Sequence, residues 1–84
     1  MTGQVTVRYF AAARAAAGVE TETVGVAPGS TVDDLVEQLS TRSSKLAAVL
    51  DRCSFLCDGI AVRDRAKPLA TNQTVDVLPP FAGG

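Results

Sequence analysis

Thr74-Val75-Asp76-Val77-Leu78-Pro79-Pro80-Phe81-Ala82-Gly83-Gly84 is the stretch whose reading decides the fold. Val75 and Val77 alternate against Thr74, Asp76 and Leu78, which is the period of a half-buried strand. Pro79 and Pro80 then hold φ near about −65° and bias Leu78 and Pro79 toward extended geometry, so the predicted strand leaves the body as a stiff polyproline spoke. From Pro79 to Gly84 the spoke reaches at most about 20 Å, at roughly 3.3 to 3.6 Å per residue. Its last two residues carry no Cβ, so backbone and carboxylate can pass through a channel too narrow for side chains. At average glycine usage a chain ends in two glycines by chance about once in 200 sequences, so the pair alone says little. Its setting says more. Frayed termini are usually polar, whereas this one carries Leu78 and Phe81, and an aromatic on an extended tail is an anchor for a partner's pocket.

Working outward, Gln4 to Phe10 alternates as a first strand, with Val5, Val7 and Tyr9 on one side and Thr6, Arg8 and Phe10 on the other. Ala11 to Ala17 has high helix propensity but is short, which predicts one or two turns ending at Gly18. Glu20 to Val26 alternates again, and an antiparallel second strand is the economical reading. After Pro28-Gly29, Ser30 or Thr31 caps a helix with Asp33 and Asp34 in its first turn. Val32, Leu35, Val36 and Leu39 form its buried stripe, and Leu46, Val49, Leu50 and Cys53 repeat the pattern in a second helical piece. Ser54 to Cys57 reads as a strand, Asp58-Gly59 as a hairpin turn, and Ile60 to Val62 as a short return. An irregular stretch and a turn at Asn72-Gln73 lead back to the last strand. If Val5, Val7, Val75 and Val77 face the helix, then Phe10, Leu56 and Leu78 share the opposite face, where an apolar cluster beside the tail would form a docking patch.

Size and charge exclude several classes. Eighty-four residues make one domain, and 46 % apolar residues suffice for a core. Residues 1–78 are read as the globular body and 79–84 as the tail. A net charge of −1 gives no general attraction to nucleic acid or an anionic membrane. No stretch approaches the roughly 18 apolar residues of a membrane span, and the Ala-rich run is broken by Arg14 with no basic segment before it, so a cytoplasmic location is expected.

The chain also lacks the parts of an enzyme. It has no histidine, and two cysteines alone complete neither a zinc site nor a ferredoxin-type cluster, so no metal is expected. No serine has a visible base partner, and no Walker-type glycine loop is present to hold ATP. Asp33-Asp34 and Glu20-Glu22 read as helix-terminal and solvent-facing charges. An ionised carboxylate is a poor electrophile, so any reaction at the terminus needs activation from elsewhere.

With these elements in place the chain resembles the ubiquitin-like sulfur carriers, specifically the branch of the molybdopterin synthase small subunit (MoaD type). The likeness rests on Val7-Arg8-Tyr9-Phe10-Ala11 with Arg14 and Gly18, on Gly29-Ser30-Thr31-Val32-Asp33-Asp34-Leu35, and on Val75 through Gly84. Pro79-Pro80 before the diglycine is closer to this branch than to the thiamine-pathway carrier (ThiS type). Phe81 stands where the family usually has valine, and Asn72-Gln73 replaces the usual Gly-Asp turn.

The resemblance implies an α+β fold of the β-grasp, ubiquitin-like kind: a mixed sheet of four to five strands, first and last parallel at its centre, with one main helix and short helical segments on one face. It implies that an E1-like adenylyltransferase/sulfurtransferase using MgATP adenylates the Gly84 carboxylate and converts it to a thiocarboxylate. The large synthase subunit (MoaE type) would then receive the tail, in a heterotetramer, and pass the sulfur to cyclic pyranopterin monophosphate to build the molybdopterin dithiolene. The chain itself would be a non-catalytic carrier that binds no cofactor. Leu78, Phe81, Phe10 and Leu56 are assigned to docking, Pro79 and Pro80 to aiming the tail, Gly83 to passage, and Gly84 to the chemistry, with Ala82 among the partner-binding residues. Three rivals stay open at this point: a carrier for thiamine thiazole or cysteine synthesis, a ubiquitin-like protein modifier joined through Gly84, and an adaptor with an inert tail.

Overall fold

The alternating segments become strands of one mixed sheet in the computed structural model, which describes residues 3–80. Its elements are β1 (Gly3–Tyr9), α1 (Ala11–Ala17), β2 (Thr21–Val26), α2 (Val32–Ser40), α3 (Ser44–Leu50), β3 (Ser54–Cys57), β4 (Ile60–Ala61) and β5 (Thr74–Leu78). The strand order is β2-β1-β5-β3-β4. Only β1 and β5 run parallel, with Val7 opposite Val75 and Tyr9 opposite Val77; the other pairs are antiparallel. This is the β-grasp arrangement that the resemblance implies.

Helix boundaries follow from local chemistry. Thr31 caps α2 by accepting from the Asp34 N–H at 3.1 Å, while the Asp34 carboxylate accepts from the Thr31 N–H at 3.0 Å. This reciprocal box satisfies two donors that a helix start otherwise leaves bare. Ser43 does the same for α3 through the Leu46 N–H. Gly18 ends α1 at φ 81°, the left-handed conformation that glycine adopts without steric cost.

One strand end differs from the sequence reading. Phe10 is not part of β1 but the N-cap of α1, and Ala11 takes φ 49°. A left-handed alanine turns the chain out of the sheet, at a cost of about 1–2 kcal/mol. Phe10 still donates its N–H to Val77 O at 3.2 Å, which holds it beside the end of β5.

The helices cover one face of the sheet. Val5, Val7, Tyr9, Val24, Val26, Phe55, Val75 and Val77 meet Val32, Leu35, Leu39, Leu46 and Leu50 in one core, and no buried residue there is charged. Glu22 corrects the sequence reading. Opposite Val7 in the register, it points to the covered face, where its carboxylate accepts from Tyr9 Oη at 2.8 Å and pairs with Arg42, leaving the side chain 20 % exposed. Burial alone would raise the Glu22 carboxyl, but the hydrogen bonds from Arg42 and Tyr9 outweigh it and hold the group below the usual carboxylate range. Burial and the Glu22 hydrogen bond push the Tyr9 phenol well above its ordinary value, so it stays a donor.

The stretch between β4 and β5 is irregular but tied down. Leu69 N donates to Ser30 O at 2.7 Å, Asn72 N donates to Gln4 O at 2.7 Å, and Arg65 pairs with Asp33 at 2.9 Å. These bonds deliver the chain to the start of β5. Asn72 turns there at φ 66°, a left-handed position that asparagine tolerates.

Candidate functional site: the uncovered sheet face at the root of the tail

The face opposite the helices carries the residues that alternate with the core. Along β1 and β5 these are Thr6 and Arg8, and Thr74, Asp76 and Leu78; β3 adds Leu56. The register sets Arg8 opposite Asp76 and Asp76 opposite Leu56, in one row across the sheet. Leu78 lies opposite Ser54 in the next row, and Phe10 reaches the same end through its bond to Val77. Leu56 and Leu78 are thus diagonal neighbours, a separation of about 7–8 Å. The expected grouping of Phe10, Leu56 and Leu78 on one face is what the tertiary structure brings together, at the end where the chain leaves β5.

Each of the three is half-buried, and the patch is not continuous. Arg8 and Asp76 form an ion pair within it, Nε to Oδ1 at 3.2 Å. The Arg8 guanidinium also stacks over the Phe10 ring, 5.3 Å from its centre, within cation–π range. The pair occupies the row of Leu56, one row behind Phe10 and Leu78, so polar and apolar side chains are interleaved on this face. Sequence reasoning named neither Arg8 nor Asp76 as part of the site. Their signal was present: both sit on the polar phase of strands whose other phase is pure valine and tyrosine.

Beyond Leu78, Pro79 is half-buried and Pro80 is exposed, consistent with a chain that departs from the sheet. Phe81, Ala82, Gly83 and Gly84, which carry the predicted anchor, passage and reactive end, lie outside the described residues.

Other concave and reactive features sit away from this end. A cavity of about 400 Å³ is lined by Val32, Cys57, Ile60, Val62, Lys67 and Leu69 among others. Since Cys57 pairs with Val75 and Ser54 with Leu78, it lies at the pole of the sheet opposite the tail. The large apolar side chains most open to solvent, Ile60 at 74 % and Val19 at 43 %, also lie outside the Phe10, Leu56 and Leu78 group. Cys53 donates its thiol to Val49 O at 3.1 Å, and both thiols pack against the core. Burial pushes both cysteine thiols up, Asp58 and Asp76 adding to the effect at Cys57, which favours the unreactive protonated form. Among the described residues no group of three His, Cys, Asp or Glu side chains is placed to hold a metal ion. No helix there is long and apolar enough to cross a membrane.

The described residues of this site are a strand end, a small half-buried face, and Pro79 and Pro80. The model of the ThiS family matches residues 7–84. The chain belongs to the ThiS family. Within it, the molybdopterin synthase sulfur carrier subunit of Chlamydomonas reinhardtii is 33 % identical over 82 residues, covering 96 % of this chain and 99 % of that one. A solved structure from Pyrococcus furiosus, described as subunit 1 of a molybdopterin converting factor, superimposes with a TM-score of 0.85 at 29 % identity, over 94 % of this chain and 99 % of the other. SAMP1 of Haloferax volcanii is similar too, at 26 % identity and a TM-score of 0.84, over 98 % of this chain and all of that one. Subunits 1 and 2 of the molybdopterin-converting factor of Helicobacter pylori have been solved as a complex. The matching chain there has a TM-score of 0.68 at 20 % identity over 96 % of this chain and 99 % of its own, a likeness of fold alone.

Proposed function

We propose that this ThiS-family chain is a sulfur carrier, the small subunit of a molybdopterin synthase, and that its reacting group is the Gly84 carboxylate. The observation that carries the reading is the coupling of body to tail. The central strand β5 leads directly into Pro79 and Pro80, which the sequence follows with Phe81-Ala82-Gly83-Gly84, and its end lies beside the uncovered face bearing Phe10, Leu56 and Leu78. The Chlamydomonas and Pyrococcus relatives support the choice of pathway.

The chemistry follows from the group. A carboxylate oxygen of Gly84 attacks the α-phosphate of ATP on an E1-like enzyme, forming an acyl adenylate and releasing pyrophosphate. A donor persulfide then attacks the carbonyl carbon and AMP leaves; a thiol attacks the donor sulfur of the resulting acyl disulfide, forming a disulfide with the donor and releasing the thiocarboxylate. Inside the large subunit that sulfur is transferred to cyclic pyranopterin monophosphate, two transfers building the dithiolene, and Gly84 returns to a carboxylate. Magnesium and ATP belong to the activating enzyme, and the carrier contributes only its terminus and its docking face. Two small chains, each seated on one large subunit, would make the heterotetramer.

Intact-mass measurement on the chain isolated from its own cells tests this. A gain of about 16 Da, sulfur replacing oxygen at Gly84, is expected; a terminus that never carries sulfur in cells making the cofactor refutes it. The likeness to SAMP1, a small archaeal modifier protein, keeps a second reading in view, in which Gly84 is joined to lysines of other proteins. Conjugates that survive reducing denaturation, without any thiocarboxylate, would establish that reading instead.

A further inference from the structure

We infer that Arg8 is a docking residue for a carboxylate, an Asp or Glu side chain of the large subunit that covers the uncovered face; this rests on the sulfur-carrier reading. Three observations combine at Arg8. Its guanidinium is already held in place, by Asp76 on the Nε side at 3.2 Å and by the Phe10 ring at 5.3 Å. It remains open to solvent: the Arg8 side chain is 49 % exposed against 14 % for Asp76. Asp76 meets it at Nε, and among the described residues no hydrogen bond from either Nη atom is formed.

The location turns that Nη fork into a constraint on the partner. Arg8 lies beside Phe10 and in the row of Asp76 and Leu56, one row from the root of the tail. A large subunit that takes in the tail and covers these apolar side chains also strips water from Arg8. Asp76 does not offset that loss, because its buried Oδ1 contacts Arg8 without an aligned hydrogen bond. A guanidinium desolvated with its fork empty is strongly unfavourable. A carboxylate across Nη1 and Nη2 satisfies it with two parallel charge-assisted bonds, and the held rotamer means little ordering is lost on binding. Arg8, Arg14 and Glu20 line one shallow concavity, of about 290 Å³, at this end of the sheet.

The apolar side chains of the face supply contact, whereas the Arg8 fork sets register and discriminates between partners. A surface with an apolar or basic residue at this point is rejected.

Calorimetric titration of the full chain into the large subunit from the same organism, at low and high salt, tests the inference. Arg8→Gln is expected to weaken binding about tenfold or more, the scale of an arginine hot spot, and to flatten the salt dependence. Arg8→Lys keeps the charge without the fork and is expected to give an intermediate loss with the salt dependence retained. It also serves if the glutamine variant folds poorly. Wild-type binding with both variants within about twofold of it and equal salt slopes would overturn the Arg8 assignment alone. A wild-type chain that neither binds the large subunit nor gains sulfur would remove the functional reading, and this inference with it.

Discussion

The two faces of the sheet obey different rules. Under the helices, Val5, Val7, Tyr9, Val24, Val26, Phe55, Val75 and Val77 are buried against leucines and valines of α2 and α3, with Glu22 as the charged exception among them. On the other side the same strands carry threonines, an ion pair, and apolar side chains that are only half-buried. The first face is closed by the chain itself, and its side chains have no further contact to make. The second keeps half-buried apolar side chains and the Arg8–Asp76 pair uncovered by the chain itself. On the proposed function, stability and docking lie on opposite sides of one backbone, and substitutions on the two faces should separate them.

The sharpest separation is at the terminus. Deleting Gly84, or adding one residue after it, is expected to abolish sulfur transfer while leaving the melting temperature unchanged; retained transfer by either variant would refute the carrier mechanism. The covered face should behave in the opposite way. Leu39 is wholly buried between α2 and the sheet, and Leu39→Ala is expected to cost about 3 kcal/mol in denaturant unfolding, the scale of a leucine cavity. Sulfur transfer measured well below its lowered melting temperature should persist, since the tail and its root are untouched.

Phe81→Ala probes the partner side: affinity for the large subunit is expected to fall by more than about 1 kcal/mol, without a change in stability. Equal affinity by titration would remove Phe81 from docking. Glu22 tests the one charged residue turned to the covered side. Its folded-state carboxyl is held low, so the stability it adds is present above the ordinary glutamate value of about 4.3 and is lost as pH falls through the lower folded value. Glu22→Gln is therefore expected to cost about 1 kcal/mol at neutral pH, with the two stability curves converging in acid below about pH 4. A difference that persists unchanged in acid would sink this account. The smallest effect is at the seam between the faces. Ala11→Gly removes a left-handed alanine and is expected to raise stability by about 0.5 kcal/mol, the relief of strain being partly offset by glycine's greater unfolded-state entropy.

Much of this was legible in the sequence. Val5, Val7, Val75 and Val77 announce the central strands because a two-residue period is local, and any strand half-buried in any fold shows it. Thr31 and Asp34 announce a helix start for the same reason, since the capping box closes within four residues. Glu22 shares the phase of Val24 and Val26, so its inward direction was readable, but its partners were not. Arg42 lies beyond the end of α2, and nothing in its neighbourhood points to β2. The apolar trio of Phe10, Leu56 and Leu78 was placed on one face by alternation, yet the ion pair beside it was missed. Its two members belong to strands at opposite ends of the chain.

The sequence by itself determined the strand and helix segments, the polarity of each face, the Pro-Pro-to-diglycine tail and the absence of histidine. Each is a property of residues in their own neighbourhood. Tertiary structure alone decided that β1 and β5 lie side by side in parallel, and in which register. A one-residue slip there would have turned Arg8 away from Asp76 and into the core. Register is set by how the whole sheet fits its helices, so the charge at the root of the tail is a product of packing that no local pattern encodes.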